Sequence, residues 1–268
     1  MSGRLAGQVA WISGATSGIG EATARLFAAE GAAVALIDLR IDRGERLAKE
    51  IQAQGGRAVA VECDVGREDQ VKASIEATVK AFGGLQIVIN NAGMVHIGAL
   101  HEHTEQQWDR LMAVNVKSIF FSTKHAIDHL RNVPRSWIVN VGSISSFVGQ
   151  ANTPAYTTSK HAVLGLTRSI ALDYAALGVR CNCVCPGITD TPLLRVHLDS
   201  TDDPEGTLAN RLRRVCMGVA LTPLDVARSI LYLACEDSAG VTGTSLTVDC
   251  GYLAAAEWTT DGKTAFMD

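Results

Sequence analysis

The chain has 268 residues, 47% of them apolar and 19% charged, with a formal net charge of −4. That length can bury a substantial core, and the slightly acidic balance excludes a dedicated nucleic-acid binder, whose footprint would be basic. The opening Met1-Ser2-Gly3-Arg4-Leu5-Ala6-Gly7-Gln8 is too polar for a secretory signal, and no apolar run reaches the ~18 residues of a membrane span, so a cytoplasmic protein without membrane or nucleic-acid partners is expected.

In chain order, an apolar run at 9–13 precedes an amphipathic stretch at 19–30, and the pair recurs as 33–38 with 43–54 and 58–63 with 68–82. The alternation continues with a run at 85–90, a long helical pattern at 105–131, a run at 137–141, a helix at 156–177 and a run at 179–185. A helix at 224–236 and a last run at 245–249 close the series. Short apolar runs alternating with amphipathic helices predict an α/β fold, a doubly wound parallel sheet of seven strands with helices on both faces. Gly31, Gly55, Gly83 and Gly178 stand where helix C-terminal glycines belong. No linker or repeat interrupts the pattern, so residues 1–268 read as one domain. Residues 192–218 form a long insertion directly after a strand, a lid over a ligand site at about 190–220, and 254–268 form a tail.

Seven cysteines without a secretory signal point to a reducing compartment. Cys181, Cys183 and Cys185 alternate along one strand and share a face, with parallel Cβ vectors unsuited to a disulfide. They read as buried, inert thiols. His101 and His103 lack companion ligands, and no metal is expected.

Ser13-Gly14-Ala15-Thr16-Ser17-Gly18-Ile19-Gly20 follows the first strand and opens the first helix. Glycines there allow a tight turn and a close backbone approach, and the helix N-terminus offers free N–H groups to a pyrophosphate. No Gly-Lys-Ser/Thr ends the loop, which excludes a nucleoside-triphosphate loop. Asp38 ends the second strand, where a carboxylate accepts ribose hydroxyls and repels a 2′-phosphate, so the cofactor expected is NAD. Arg40, two residues on, is expected to face solvent.

Tyr156 and Lys160 lie one helical turn apart at the start of a helix. An ammonium so placed favours the phenolate, the form able to take a proton, although such a pair also occurs on plain solvated helix surfaces. Ser143, after Gly142, ends the run 137–141 on the carboxyl edge of the sheet, and Asn90-Asn91-Ala92-Gly93 ends the preceding run on that same edge. Asn115 sits inside a helical pattern that disfavours it.

With these motifs in this order, from about Ala6 to Gly251, the chain resembles the short-chain dehydrogenase/reductase family in its form of about 250 residues. The resemblance implies a Rossmann-type fold and an oxidoreductase moving a hydride between nicotinamide and an alcohol or carbonyl carbon. It implies a catalytic set of Asn115, Ser143, Tyr156 and Lys160: Ser143 on the reacting oxygen, Tyr156 exchanging the proton, Lys160 on the nicotinamide ribose, Asn115 holding a water. It also implies a cofactor loop of Gly14, Gly18 and Gly20, with Ser17 and Ile19 between them, and Asp64-Val65 beside the adenine. Asn91, Ala92 and Gly93 would support the cofactor, and Pro186-Gly187-Ile188-Thr189-Asp190-Thr191 would position the carboxamide, chiefly through Ile188 and Thr191. The resemblance further implies a homotetramer, or a homodimer, joined through helices 105–131 and 156–177, with 258–268 reaching a neighbour. One departure is Asp249-Cys250-Gly251, where members often carry Asp-Gly-Gly.

Pocket candidates near Ser143 and Tyr156 are His96, Ser145, Val148, Gln150, Asn152 and parts of 188–218. Small polar residues there favour a hydroxylated substrate, a sugar or polyol. The alternatives are a secondary alcohol or a hydroxy acid, or a protein that senses dinucleotide without catalysis. Arg195, His197, Arg211, Arg213 and Arg214 give the lid a cationic bias, which either recruits an anionic substrate or is a solvated helix face.

Overall fold

A computed structural model describes residues 3–254. Seven parallel strands run β1 (Val9–Ser13), β2 (Ala33–Asp38), β3 (Arg57–Glu62), β4 (Ile87–Asn90), β5 (Ser136–Val141), β6 (Val179–Pro186) and β7 (Ser245–Val248), in the sheet order β3-β2-β1-β4-β5-β6-β7. Strand order reverses between β1 and β4, which opens a crevice at their carboxyl ends. β1, β4 and β5 are buried along their whole length, which is why they read as continuous apolar runs rather than alternating ones. Burial still alternates between two cores: Ala10, Ile12, Ile87 and Ile89 face one helical layer, Trp11, Val88 and Ile138 the other. At the edge, β3 carries exposed Arg57 and Glu62, the polarity expected of a strand with one free side.

The helices are α1 (Gly18–Ala29), α2 (Ile41–Ala53), α3 (Glu68–Phe82), α4 (Glu105–Met112), α5 (Ser118–Leu130), α6 (Pro154–Tyr174), α7 (Pro192–Leu198), α8 (Pro204–Leu212) and α9 (Pro223–Leu233). Gly31, Gly55, Gly83 and Gly178 all take positive φ at the helix ends, as the sequence requires.

Two expected elements are corrected. The single helix at 105–131 is broken by one turn of π-helix at Ala113–Lys117, which carries the buried Asn115. An extra residue inserted in a helix re-aims the side chains beyond it, and such turns favour functional sites. The lid is not a loop but two short helices, α7 and α8, each with Pro in its first turn and capped by Thr191 and Asp203. Of the expected tail, only Ala254 is described; 258–268 lie outside the described residues. Among the described residues, no helix is long and apolar enough to cross a membrane.

Candidate active site

The crevice at the switch point is stitched by hydrogen bonds. Ser13 Oγ accepts from the backbone N–H groups of Asn91 (3.0 Å) and Ala92 (3.1 Å), while Asn91 Nδ2 donates to the carbonyls of Ser13 (2.9 Å) and Gly14 (3.1 Å). The loop after β1 is thereby fixed to the loop after β4. A Cβ on Gly20 would lie 2.1 Å from the Gly14 carbonyl oxygen, so glycine alone fits this turn. The bare backbone at Gly14 and Gly18 opens on a cleft of about 610 Å³, a volume typical of ligand sites.

That cleft runs from Asp38 and Arg40 at one end, past Asp64, Val65 and the Asn91–Gly93 loop, to Ser143, Tyr156, Lys160 and the lid. Gly14, Ser17, Gly18, Ile19, Pro186, Gly187, Ile188 and Thr191 line it too, whereas Gly20 lies behind the loop. Asp64 is held by Arg110, with both carboxylate oxygens within 3.0 Å of one Nη1, and its Oδ1 accepts from the Gly66 N–H at 2.9 Å. Arg40 is exposed, as expected, yet its guanidinium folds back along the cleft. Its Nη2 donates to Ser17 Oγ at 3.0 Å and its Nε lies 3.4 Å from Asp38 Oδ1, because α2 begins at Ile41 and turns the arginine back over the glycine loop. Asp38 Oδ2 also accepts from the Thr16 N–H at 3.2 Å.

At the other end, Pro154 at the first turn starts α6, so Tyr156 and Lys160 project from adjacent turns. Lys160 is buried, donates to the Val141 carbonyl at 2.8 Å, and has its Nζ 5.5 Å from the centre of the Tyr156 ring. Tyr156 lines the cleft, and its hydroxyl has no hydrogen-bond partner among the described residues. Ser143 is buried after β5, its Oγ accepting from the Ser145 N–H at 3.1 Å. Ser146 Oγ accepts from the Ser143 N–H (3.2 Å) and donates to the Lys160 carbonyl (2.8 Å), tying this loop to α6.

Asn115 is not on the cleft wall. Its Oδ1 accepts from the Met94 N–H (2.9 Å) and its Nδ2 donates to the Met94 carbonyl and Ser159 Oγ, both at 3.0 Å. The side chain is therefore a tie between the β4 loop and α6. Deeper in, sequence reasoning passed over Asn140, which joins β4 and β5 to α5 and α6: it accepts from Asn90 (2.8 Å) and donates to Thr167 (2.9 Å), while Ser122 donates to Asn90. An Asn at the end of β4 and another one residue before the end of β5, paired in register, were the available signal.

Not all expected pocket residues meet the cleft. Ser145 and Gln150 line it and bond to each other at 3.2 Å. His96 does not: its ring stacks edge-on against His103, centroids 4.7 Å apart. Val148 is 40% exposed and outside the lining, and Asn152 serves by its backbone, accepting from the Gly98 N–H at 2.8 Å. Arg195 also turns away, paired with Asp190 at 2.9 Å on the outer face of the lid. Leu193, Leu194, His197 and Arg211 supply the lid's wall instead. Cys181, Cys183 and Cys185 are buried and free, with the Cys183 and Cys185 sulfurs 3.6 Å apart.

Comparison with known proteins places the chain in a family. A family model described as Enoyl-(Acyl carrier protein) reductase matches residues 14–253. A Xenopus laevis protein named Dehydrogenase/reductase SDR family member 6 is 40% identical over 251 residues, covering 93% of this chain and 99% of that protein. The chain belongs to the short-chain dehydrogenase/reductase family. Another member, the cis-4-hydroxycyclohexanecarboxylate dehydrogenase of Sinomonas cyclohexanicum, is 38% identical and covers 95% of this chain and 100% of its own. Among solved structures, the aldohexose dehydrogenase of Thermoplasma acidophilum superimposes with a TM-score of 0.86 at 36% identity, over 95% of this chain and 97% of that one. The protein is thus an oxidoreductase of alcohols that works with a nicotinamide cofactor, NAD or NADP.

Proposed function

We propose that the protein is an NAD-dependent dehydrogenase whose proton relay is Ser143, Tyr156, Lys160 and Asn115. The observation that carries this reading is the free Tyr156 hydroxyl in a shared cleft, with the buried Lys160 cation beside its ring and the Ser143 hydroxyl on the same wall. Bound nicotinamide supplies a two-electron acceptor or donor, so that alcohol and NAD⁺ interconvert with carbonyl, NADH and a proton. Ser143 Oγ, aimed by Ser145 and Ser146, donates to the reacting oxygen and stabilises its charge. Tyr156 takes or returns the proton of that oxygen. Lys160, pinned by its donation to the Val141 carbonyl, keeps a cation beside the phenol and would bind the ribose hydroxyls of the nicotinamide half. With its side chain committed to Met94 and Ser159, Asn115 contributes by fixing the β4 loop and by the backbone of its π turn, where a relay water is proposed to sit.

The dinucleotide is proposed to lie along Gly14, Ser17, Gly18 and Ile19, its adenine by Asp64 and Val65, its nicotinamide by Asn91, Ala92, Gly93, Pro186, Gly187, Ile188 and Thr191. The glycine loop along the cleft wall and the Asp38 carboxylate fit such a ligand. For a bare carboxylate, one charge pair at 4 Å is worth roughly 4 kcal/mol at an effective dielectric of 20. Arg40 beside Asp38 reduces that preference, so NAD is favoured by less than the bare figure implies.

The substrate is proposed to be a hydroxylated small molecule. The Ser145–Gln150 pair in the cleft and the aldohexose-named relative support a sugar or polyol; Arg211 in the lid and the carboxylate-named relative support a hydroxy acid. A cytoplasmic homotetramer is proposed as well, with Phe120 on α5 (50% exposed) and Leu172 on α6 (83% exposed) offering apolar contact surface. Light scattering reads it, and a monomer peak refutes the assembly without touching the enzyme.

An NAD-reduction screen over sugars, polyols, hydroxy acids and secondary alcohols, run beside NADP, tests the reading. Turnover with NAD is expected. Cofactor binding without turnover of any alcohol would leave a dinucleotide sensor instead.

A further inference from the structure

Five basic residues crowd the lid, and the fold sorts them. Arg195 is paired with Asp190, Arg214 lies over the Tyr252 ring with its guanidinium 5.6 Å from the centre, and Arg213 is exposed and engaged. Only Arg211 from α8 and His197 from α7 turn into the cleft, and they touch each other. Both are half-buried.

Arginine has donors only, so His197 Nε2 is the acceptor in this contact and the imidazole is neutral. Burial and the Arg211 charge hold His197 below its ordinary value, which agrees with that assignment. Among the described residues, Arg211 has no carboxylate partner, although Asp199, Asp202, Asp203 and Glu205 sit on the same lid. Asp203 is used as the cap of α8 through the Gly206 N–H. Burial without a counter-ion weakens the hold of Arg211 on its proton, the direction expected of an uncompensated cation. A guanidinium nevertheless stays charged, and a half-buried charge lacking an anion is costly.

We infer that the lid end of the cleft takes the anionic head of the substrate, with Arg211 as its anchor and His197 as the residue that aims it. This rests on the dehydrogenase reading of the same cleft and names its substrate class: a hydroxy acid, its carbinol at Ser143 and Tyr156 and its carboxylate at Arg211. His197 occupies one Nη2 donor of Arg211, and the remaining fork presents the paired N–H groups that match a carboxylate. Ser145 and Gln150 are left for a neutral hydroxyl between the two ends.

The test uses matched probes: 4-hydroxycyclohexanecarboxylate against its carboxamide, and gluconate against glucitol. Thermal shift of the full-length NADH complex reads binding, and kcat/KM with NAD reads turnover. Wild type is expected to favour the carboxylate member of each pair. Arg211→Gln is expected to lose that preference by on the order of 10–100-fold, mainly through KM, as a charge-assisted bond is removed. Arg211→Lys should recover part of it, which a merely structural role would not predict. Arg195→Gln, on the outer face, should leave the carboxylate-to-carboxamide ratio alone, and NADH binding verifies that each variant is folded. Equal shifts for both members of a pair, no shift for either, or a ratio indifferent to Arg211 would overturn the inference. Arg211-dependent binding of the carboxylate without any turnover would instead overturn the dehydrogenase reading and leave the anion site standing. Turnover that depends on Tyr156 but ignores substrate charge does the reverse.

Discussion

The two ends of the cleft are built in different ways. The nucleotide end is built on backbone: Gly14, Gly18 and Gly20 form the tight turn, Ser13 and Asn91 lock two loops together, and Asp38 and Arg40 are the charged side chains added to that frame. The lid end is made of side chains on two short helices, where only Leu198 of α7 is buried and no residue of α8 is. Backbone geometry leaves a mark in sequence as glycine spacing. Side-chain aim does not. A family can therefore keep the first end while the second changes its substrate.

Four substitutions, read as three effects, sharpen this contrast. The largest effect falls where the ends meet: Tyr156→Phe should lower kcat on the order of 10²–10⁴-fold, with NADH titration nearly unchanged. Activity close to wild type would remove Tyr156 from the relay. Next comes cofactor choice. Asp38→Ala should raise the NADP-to-NAD ratio of kcat/KM by ~10–100-fold, and Arg40→Ala should lower it, since each removes one sign of charge near the proposed 2′ position. A wild type that already prefers NADP contradicts the assignment. Third, Gly20→Ala would press a methyl group into the Gly14 carbonyl and Asn91 Nδ2. It should cost roughly 1–3 kcal/mol, read as a fall in Tm of several degrees. A neutral result would mean that the nucleotide end tolerates side chains as the lid does.

Smaller effects probe cysteines in both regions. Cys250 holds φ +53, a left-handed value that glycine adopts without strain, so Cys250→Gly should stabilise by about 1 kcal/mol in denaturant titration. Cys63, on the nucleotide wall, is pushed up to about 11 by burial and stays a protonated thiol at neutral pH. Alkylation at pH 8 should therefore modify the exposed Cys216 before Cys63, and mass spectrometry of the peptides checks the order.

Much of the fold was legible. β1 and β2 occupy the expected residues because a central parallel strand is apolar without interruption, and α3 at Glu68–Phe82 ends at a glycine with φ +84. The break between α4 and α5 was not, since amphipathic spacing resumes on both sides of a π turn; the misfit of Asn115 in a helix was its only trace. Ser143, Tyr156 and Lys160 line one cleft with Gly14, Ser17, Gly18 and Ile19 because the topology brings the loops after β1 and β5 and the start of α6 to one edge, whereas Asn115 and Gly20 lie off its wall. Arg40, Arg195 and Arg211 were indistinguishable as letters. Which of them meets the cleft depends on where α2, α7 and α8 start, and a shift of one residue would turn each arginine by about 100°.

The central claim is that one cleft binds NAD at its glycine end and oxidises a carbinol beside Tyr156. Its most direct test is an alcohol found by the screen and carrying deuterium on the carbinol carbon, incubated with NAD and the wild-type protein. The account predicts one deuterium in the NADH for each ketone formed, and loss of both products in Tyr156→Phe. Unlabelled NADH, or transfer to NADP but not NAD, would contradict it.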